Sequence, residues 1–187
     1  MEKMMAALQA LAPLSEGLTE QLCRIVSSRR YLKRETLLRA SRICPAIWYI
    51  EKGLVGHFYE KSGRTLCSGF LLENNFVLPI VSFFPQRPSA ESIVALEDTH
   101  THLITHEQLL ALLARYPEFN LPIRLLVQHS YQAAAERLQA FHHQTPVEKY
   151  RYLIMHRPEL ILRVSNTHLA SYMGMTIETL SRIKGRI

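Results

Sequence analysis

The stretch Asn166-Thr167-His168-Leu169-Ala170-Ser171-Tyr172-Met173-Gly174-Met175-Thr176-Ile177-Glu178-Thr179-Leu180-Ser181-Arg182-Ile183 decides how this chain is read. Ala170 falls on the inner face of a first helix, where a small side chain lets a second helix approach. Gly174 follows four residues later, where the chain must turn through positive φ. Leu169, Met173, Met175, Leu180 and Ile183 supply the apolar contacts that hold two short helices at a steep angle. Thr176 caps the second helix, and Thr179 stands where a full capping box would have Glu or Gln. The spacing predicts a helix-turn-helix with Ile177, Glu178, Ser181, Arg182 and Lys184 turned outward. Side chains on the N-terminal half of such a helix reach base edges in the major groove. Arg182 suits a bidentate contact to guanine, Glu178 accepts from cytosine, and Ser181 is the third base reader. Thr176, Thr179, Lys184 and Arg186 suit phosphates, which position a protein without specifying sequence. A plain helical hairpin with a basic surface would not need Ala, Gly and five apolar positions in register.

Charge points the same way. The 187 residues carry a net charge of +6. From Thr145 onward there are seven basic residues against three acidic, +4 in 43 residues, and the other 144 residues supply only +2. A polyanionic partner favours that concentration. Hydrophobic residues at 48% and charged residues at 20% fit a folded globular chain. No apolar run reaches the roughly 20 residues of a membrane span. The N-terminal MEKMMAALQALAPL reads as a packed amphipathic helix, not a secretion signal, so a cytoplasmic location is expected. Cys23, Cys44 and Cys67 are odd in number and far apart, which predicts buried thiols and neither disulfide nor zinc site.

Outward from the decisive stretch, the chain changes character. Thr145-Pro146 opens a helix, with Thr as cap and Pro in the first turn, and marks a domain boundary. A long helix from about Glu118 to His143 precedes it. There Val127, Tyr131, Ala134, Leu138 and Phe141 are spaced four, three, four, three, an apolar heptad seam. That seam is either a two-stranded coil between subunits or a helix packed on its own domain. His142-His143 ends the helix, where imidazolium suits the dipole. Glu107 to Arg115 reads as a short helix. Upstream, Trp48-Tyr49-Ile50, Leu54 to Tyr59, Leu66 to Leu72 and Ser92 to Leu96 read as strands. Glu51-Lys52-Gly53, Lys61-Ser62-Gly63-Arg64 and Glu73-Asn74-Asn75 are turns between them. Short strands at this spacing suggest a sandwich or barrel. Residues 1 to about 28 are helical on the spacing of Leu8, Leu11, Leu14, Leu18 and Leu22.

With strands, long helix and helix-turn-helix in that order, the chain resembles the Crp/Fnr family of bacterial transcription regulators over nearly its whole length. Leu37-Leu38-Arg39-Ala40 and Ile47-Trp48-Tyr49-Ile50-Glu51-Lys52-Gly53-Leu54-Val55 look like the family's early strands and glycine turn. Thr176 to Ile183 looks like its recognition helix, with the family's Glu and Arg on Glu178 and Arg182. An Arg usual one residue before that Glu is Ile177 here, so base preference is expected to differ. The resemblance implies an α+β chain. Residues 1–117 are then a cyclic-nucleotide-binding-type β-roll, a double-stranded β-helix, with an N-terminal helix. Residues 118–144 are a dimerisation helix, and 145–187 the DNA-binding helix-turn-helix. It further implies a homodimer on a two-fold-symmetric DNA site, with RNA polymerase as a further candidate partner.

The same comparison marks departures. Family members that bind cyclic AMP use a Gly-Glu pair and, about ten residues later, an Arg-Ser. The Glu holds the ribose hydroxyl and the Arg the cyclic phosphate. The corresponding positions here are Leu78-Pro79 and, within Arg87-Pro88-Ser89-Ala90, Pro88 in place of Arg. Arg87 is one position off and on a strand would face the other way. A buried phosphate without its cation is costly, so cyclic AMP is not expected as a cofactor. An unidentified small-molecule effector would meet Phe76, Leu78, Pro88, Ser89 and Ala90, closed by Tyr131 and Gln132. The family's wing is expected to be missing after Ile187, lowering affinity per subunit. Four clustered cysteines are absent, which argues against an iron–sulfur sensor.

Two other readings compete. His100-Thr-His102-Leu-Ile-Thr-His106-Glu107 matches the first metal motif of cupin enzymes, and His100 and His102 would share one face of a strand. The motif's flanking glycines are Val94 and Ala114 here, and Glu107 begins a helix, so solvated strand histidines are expected and no metal. A protein-interaction module that has lost DNA binding is the other alternative. With no nucleophile elbow or phosphate loop in the sequence, no enzyme is expected.

Overall fold

A computed structural model describes residues 1–186, the side chains of residues 141–143 excepted. The side chains of Phe141, His142 and His143 singled out above therefore lie outside the described residues. The chain opens with α1 (Glu2–Leu11) and α2 (Glu16–Ile25), two helices where leucine spacing alone predicted one. Pro13 divides them, because a residue before proline is pushed to extended backbone, and Ala12 has φ −161° and ψ 153°. The strands follow as β1 (Ser27–Tyr31), β2 (Thr36–Leu38), β3 (Ala46–Lys52), β4 (Val55–Lys61), β5 (Arg64–Leu71) and β6 (Phe76–Val77). A short α3 (Ile80–Phe83) precedes β7 (Ser92–Ala95) and β8 (Thr99–Thr105). Helix α4 (His106–Arg115), a 3-10 turn (Pro117–Phe119) and the 24-residue α5 (Asn120–His143) lead to α6 (Pro146–His156), α7 (Pro158–Arg163), α8 (Asn166–Met173) and α9 (Ile177–Lys184).

The strands form two four-stranded sheets, in orders β1-β8-β3-β6 and β2-β7-β4-β5. Apart from the β4–β5 hairpin, neighbours in both sheets are distant in sequence, the winding of a roll in place of a meander. In the first sheet, antiparallel β3 and β8 set Tyr49 against His102 and Trp48 against Leu103. By packing, the chain separates into two compact units. The first holds residues 1–57 and 70–130. The second holds residues 58–69, the turn-side part of the β4–β5 hairpin, with residues 131–187.

The first unit's core shows why this sequence makes a roll. Ala46 to Ile50 of β3 are all at most 3% exposed, so the strand is covered on both faces. Trp48 Nε1 donates to the Tyr31 hydroxyl at 3.1 Å, which satisfies both buried polar groups. Met4 and Leu8 of α1, Leu18 and Leu22 of α2 and Leu109 of α4 belong to the same cluster. Ser15 caps α2, its Oγ accepting from Leu18 N. Thr105 and Gln108 form a reciprocal capping box at α4. Ile123 and Leu126 anchor the first turns of α5 in this core. Cys44 is buried, and burial pushes its thiol up to about 11, away from nucleophilic chemistry. Cys67 is buried too, but Cys23 is exposed, contrary to expectation. It follows Leu22 on α2 and so turns off that helix's buried stripe. Among the described residues, no helix is long and apolar enough to cross a membrane.

Gly53, between β3 and β4, makes a close backbone approach to β8. Its φ is 109°, and a Cβ there would lie 2.7 Å from Thr99 Cα and 2.5 Å from Thr99 Oγ1. Its N–H donates to Glu73 Oε1 at 2.8 Å, fixing the turn. Gly53→Ala must both strain the backbone and displace β8. It is expected to cost about 2 kcal/mol or more and to lower the urea midpoint without changing the slope. A midpoint equal to wild type would show that the turn relaxes freely.

Candidate nucleic-acid interface

The second unit's helices are specified by their ends. Thr145 Oγ1 accepts from Glu148 N while Glu148 accepts from Thr145 N, a complete capping box with Pro146 in the first turn of α6. The Glu148 carboxyl falls below its ordinary value, chiefly through the Thr145 hydroxyl and then the Thr145 backbone N–H. Ser165 caps α8 by accepting from His168 N. At the other end Gly174 takes φ 68° and ψ 37°. Met175 N donates to Ala170 O at 2.9 Å and Gly174 N to Ser171 O at 3.0 Å, the paired bonds of a Schellman stop. Thr176 then opens α9, its Oγ1 accepting from Thr179 N at 3.2 Å. Leu153, Leu160, Leu169, Ala170, Met173, Leu180 and Ile183 are buried together across the four helices. Ala170, at 1% exposure, sits where the sequence required a small side chain.

On α9, Leu180 and Ile183 face inward, and Ile177, Glu178, Ser181 and Arg182 are exposed. The Glu178 carboxyl lies below its ordinary value, held first by its own backbone N–H at the helix start and second by the Thr176 hydroxyl. It is therefore an ionised acceptor at neutral pH. Arg182 lies one turn further along, so acceptor and donor fork stand in succession on one exposed face. Arg186 is exposed in the turn after α9. Two predicted phosphate contacts are placed differently. Thr179 is half-buried and bonded to Thr176. Lys184 folds back, its ammonium donating to Asn166 Oδ1 and lying 6.0 Å from the Tyr150 ring centre. Asn166 starts α8, so Lys184 ties the two helices together instead of pointing away from them.

The other predicted residues divide between the units. Phe76, Leu78, Pro88, Ser89 and Ala90 belong to the first, Tyr131 and Gln132 to the second. Ser89 is buried, and its hydroxyl is spent locally on Glu91, accepting from N and donating to O. Ser82 holds the segment before it, donating to Arg87 O and accepting from Cys44 N. Arg87 is exposed. Glu91 lies 3.1 Å from His57 Nδ1, so the chain after Ala90 presents a carboxylate. Of the seam, Val127 packs against the first unit's core, whereas Tyr131 is 71% and Leu138 59% exposed, with Ala134 exposed between them. His100 and His102 take different partners. His100 accepts from Arg30 Nε, and buried His102 meets Ser28 Oγ at 2.8 Å and Glu51 at 3.1 Å. No group of three or more His, Cys, Asp or Glu able to hold a metal occurs among the described residues.

Sequence reading missed the contact of α8 with the β4–β5 hairpin. Ser62 and Gly63, at φ 51° and 73°, form the tight turn of that hairpin. Cys67 N donates to Ser171 Oγ at 2.8 Å, and the Phe58 ring packs against His168 with centres 4.9 Å apart. A Cβ at Gly69 would lie 3.0 Å from Arg137 Nη1, so this strand glycine admits α5 closely, the one feature the sequence could have flagged. Burial lowers the His168 pKa from 6.5. The packing is thus fully favoured above pH 6.5 and is lost as the pH falls through the depressed value. Ser171→Ala is expected to speed amide exchange of Cys67 about tenfold, the worth of one hydrogen bond, and to leave Leu180 unchanged. Equal protection of Cys67 in both proteins would remove Ser171 from the contact.

Residues 28–116 match the cyclic nucleotide-binding domain family. No curated protein matches the chain. Among solved structures, FixK2 from Bradyrhizobium japonicum superposes with a TM-score of 0.75 at 16% identity, covering 87% of this chain and 84% of that one. The c-di-GMP responsive global regulator CLP of Xanthomonas campestris gives 0.73 at 18% identity, covering 92% and 91%. A Crp/Fnr family protein from Eubacterium rectale gives 0.75 at 11% identity, covering 92% and 83%. At such identities the superpositions establish the fold, and the family match establishes the roll: the chain carries a domain of the cyclic nucleotide-binding family and has the fold of the Crp/Fnr regulators.

Proposed function

We propose that this protein is a homodimeric transcriptional regulator that reads a two-fold-symmetric DNA site with α9. The observation that carries the reading is the division of α9 between buried Leu180 and Ile183 and exposed Ile177, Glu178, Ser181 and Arg182. Such a helix is held firmly from behind and offers base-reading chemistry in front. Glu178, Ser181 and Arg182 are the proposed base readers. Thr176 and Arg186 are the exposed phosphate contacts, and Lys184 braces the fold. The basic excess after Thr145 supplies the sequence-independent attraction. No residue is given a catalytic role, and RNA polymerase is a partner in this reading only if the protein activates.

The roll is proposed to have lost the cyclic-phosphate site. Pro88 stands in the place of the phosphate-binding Arg, Ser89 is committed to Glu91, and Glu91 brings negative charge beside the segment. A cyclic nucleotide would lose its cation there and meet a carboxylate. Phe76, Leu78, Pro88, Ser89 and Ala90 of the first unit remain the proposed lining for an effector of other chemistry. Dimerisation is proposed through the exposed half of α5, where Tyr131, Ala134 and Leu138 form an apolar stripe that water alone would cover in a monomer.

Selection of genomic fragments by the purified protein, followed by salt titration of the best fragment, tests the reading. An enriched inverted repeat with steep salt dependence is expected. Arg182→Ala is expected to cost about 1–3 kcal/mol of binding and to relax one base position in each half-site. Unchanged affinity and base preference would remove Arg182 from the readers. Leu138→Glu is expected to give a monomer in sedimentation and, with it, loss of binding to the repeat. A mass that stays dimeric would place the subunit interface elsewhere.

A further inference from the structure

The second unit contains a cleft that the DNA reading does not use. It encloses about 680 Å³ between the C-terminal half of α5, α6 and the end of α8. That lies within the roughly 300–1,000 Å³ of small-ligand sites. Three cations line it, Arg137 from α5, Lys149 from α6 and Arg157 just beyond α6, the last with its Nε 3.9 Å from Glu159 Oε1, and among the described lining residues the carboxylate is Glu136. Its floor is apolar, with Leu153 and Met173 at 3% and 4% exposure. Its aromatic wall is Tyr152 and Tyr172. Tyr152 is 47% exposed and stacks on His156 with ring centres 4.1 Å apart, 20° from parallel, making an extended flat surface.

We propose that this cleft binds a small organic anion that carries a planar aromatic ring and a phosphate or comparable anionic group. Convergent cations hold the anionic group, and guanidinium forks recognise its oxygens. The tyrosine wall and apolar floor take the ring. The cleft is also placed to act on the fold. Lys149 Nζ donates to Met173 O at 3.3 Å, the carbonyl that ends α8 immediately before the Gly174 turn. An anion that draws the ammonium away alters the contact at the joint between α8 and α9. The binding stands on the cleft alone; only its consequence for DNA rests on the function proposed above.

The test is an amide NMR titration of the full chain, without DNA, using phenyl phosphate as probe, with inorganic phosphate and benzyl alcohol as controls. Saturable shifts at Tyr152, Arg157, Tyr172 and Gly174 are expected, with a Kd on the order of 1 mM for so small a probe. Each control should bind at least about tenfold more weakly. Arg157→Gln should weaken phenyl phosphate about tenfold or more. Tyr152→Ala, at an exposed position, should do the same and serves if the arginine variant disturbs the fold. The proposal is overturned by any of three results: no saturable shift up to about 10 mM, equal binding of inorganic phosphate, or wild-type affinity in folded variants. It is also overturned if only duplex DNA moves these amides, since the cations then serve the DNA backbone. Because the titration contains no DNA, failure of the DNA reading leaves its outcome intact.

Discussion

The structure depends on one constraint, a strand buried on both faces. Ala46 to Ile50 of β3 carry no side chain that reaches solvent, and Trp48 takes its polar partner from Tyr31. A strand of this kind must have a second layer on each side. The helices α1, α2 and α4 provide apolar cover within the same cluster, and Ile93 and Ala95 of β7 bring the second sheet into it. Gly53 lets the chain leave β3 tightly against Thr99. The roll is thus set by packing.

Helix α5 joins two regimes. Its first turns are core, through Ile123 and Leu126, and it emerges beyond Ser130 with Tyr131, Ala134 and Leu138 exposed. A helix buried at one end and bare at the other needs something to cover the bare part. That asymmetry supports the two-stranded reading of the heptad spacing, the one proposed above.

How much was legible follows the range of the interactions. The turn at Gly174, the small Ala170, the caps at Thr145 and Thr176 and the buried Leu180 and Ile183 all act within a few residues. Local spacing encodes them directly. The strands around Gly53 were legible through their β-branched and aromatic residues. Strand β1 was not, because four of its five residues are exposed and polar, and pairing with β8 alone makes it a strand. The first helical region was legible as helix but not as two, since the leucine spacing runs on across Pro13.

The sequence by itself determined the fold class and the buried and exposed sides of α9, Lys184 excepted, because those rest on short-range geometry and on residue types that few alternatives tolerate. The tertiary structure decided what long-range contact alone can decide. Lys184 turned back to Asn166, 18 residues away, instead of outward. Cys67 met Ser171 across 104 residues, and the histidines of β8 took separate partners. The cleft of Arg137, Lys149 and Arg157 draws its cations from different elements, so no spacing in the chain announces it. Charge and hydrogen-bonding groups act through space, and their partners are known only once the chain has brought them within a few ångströms.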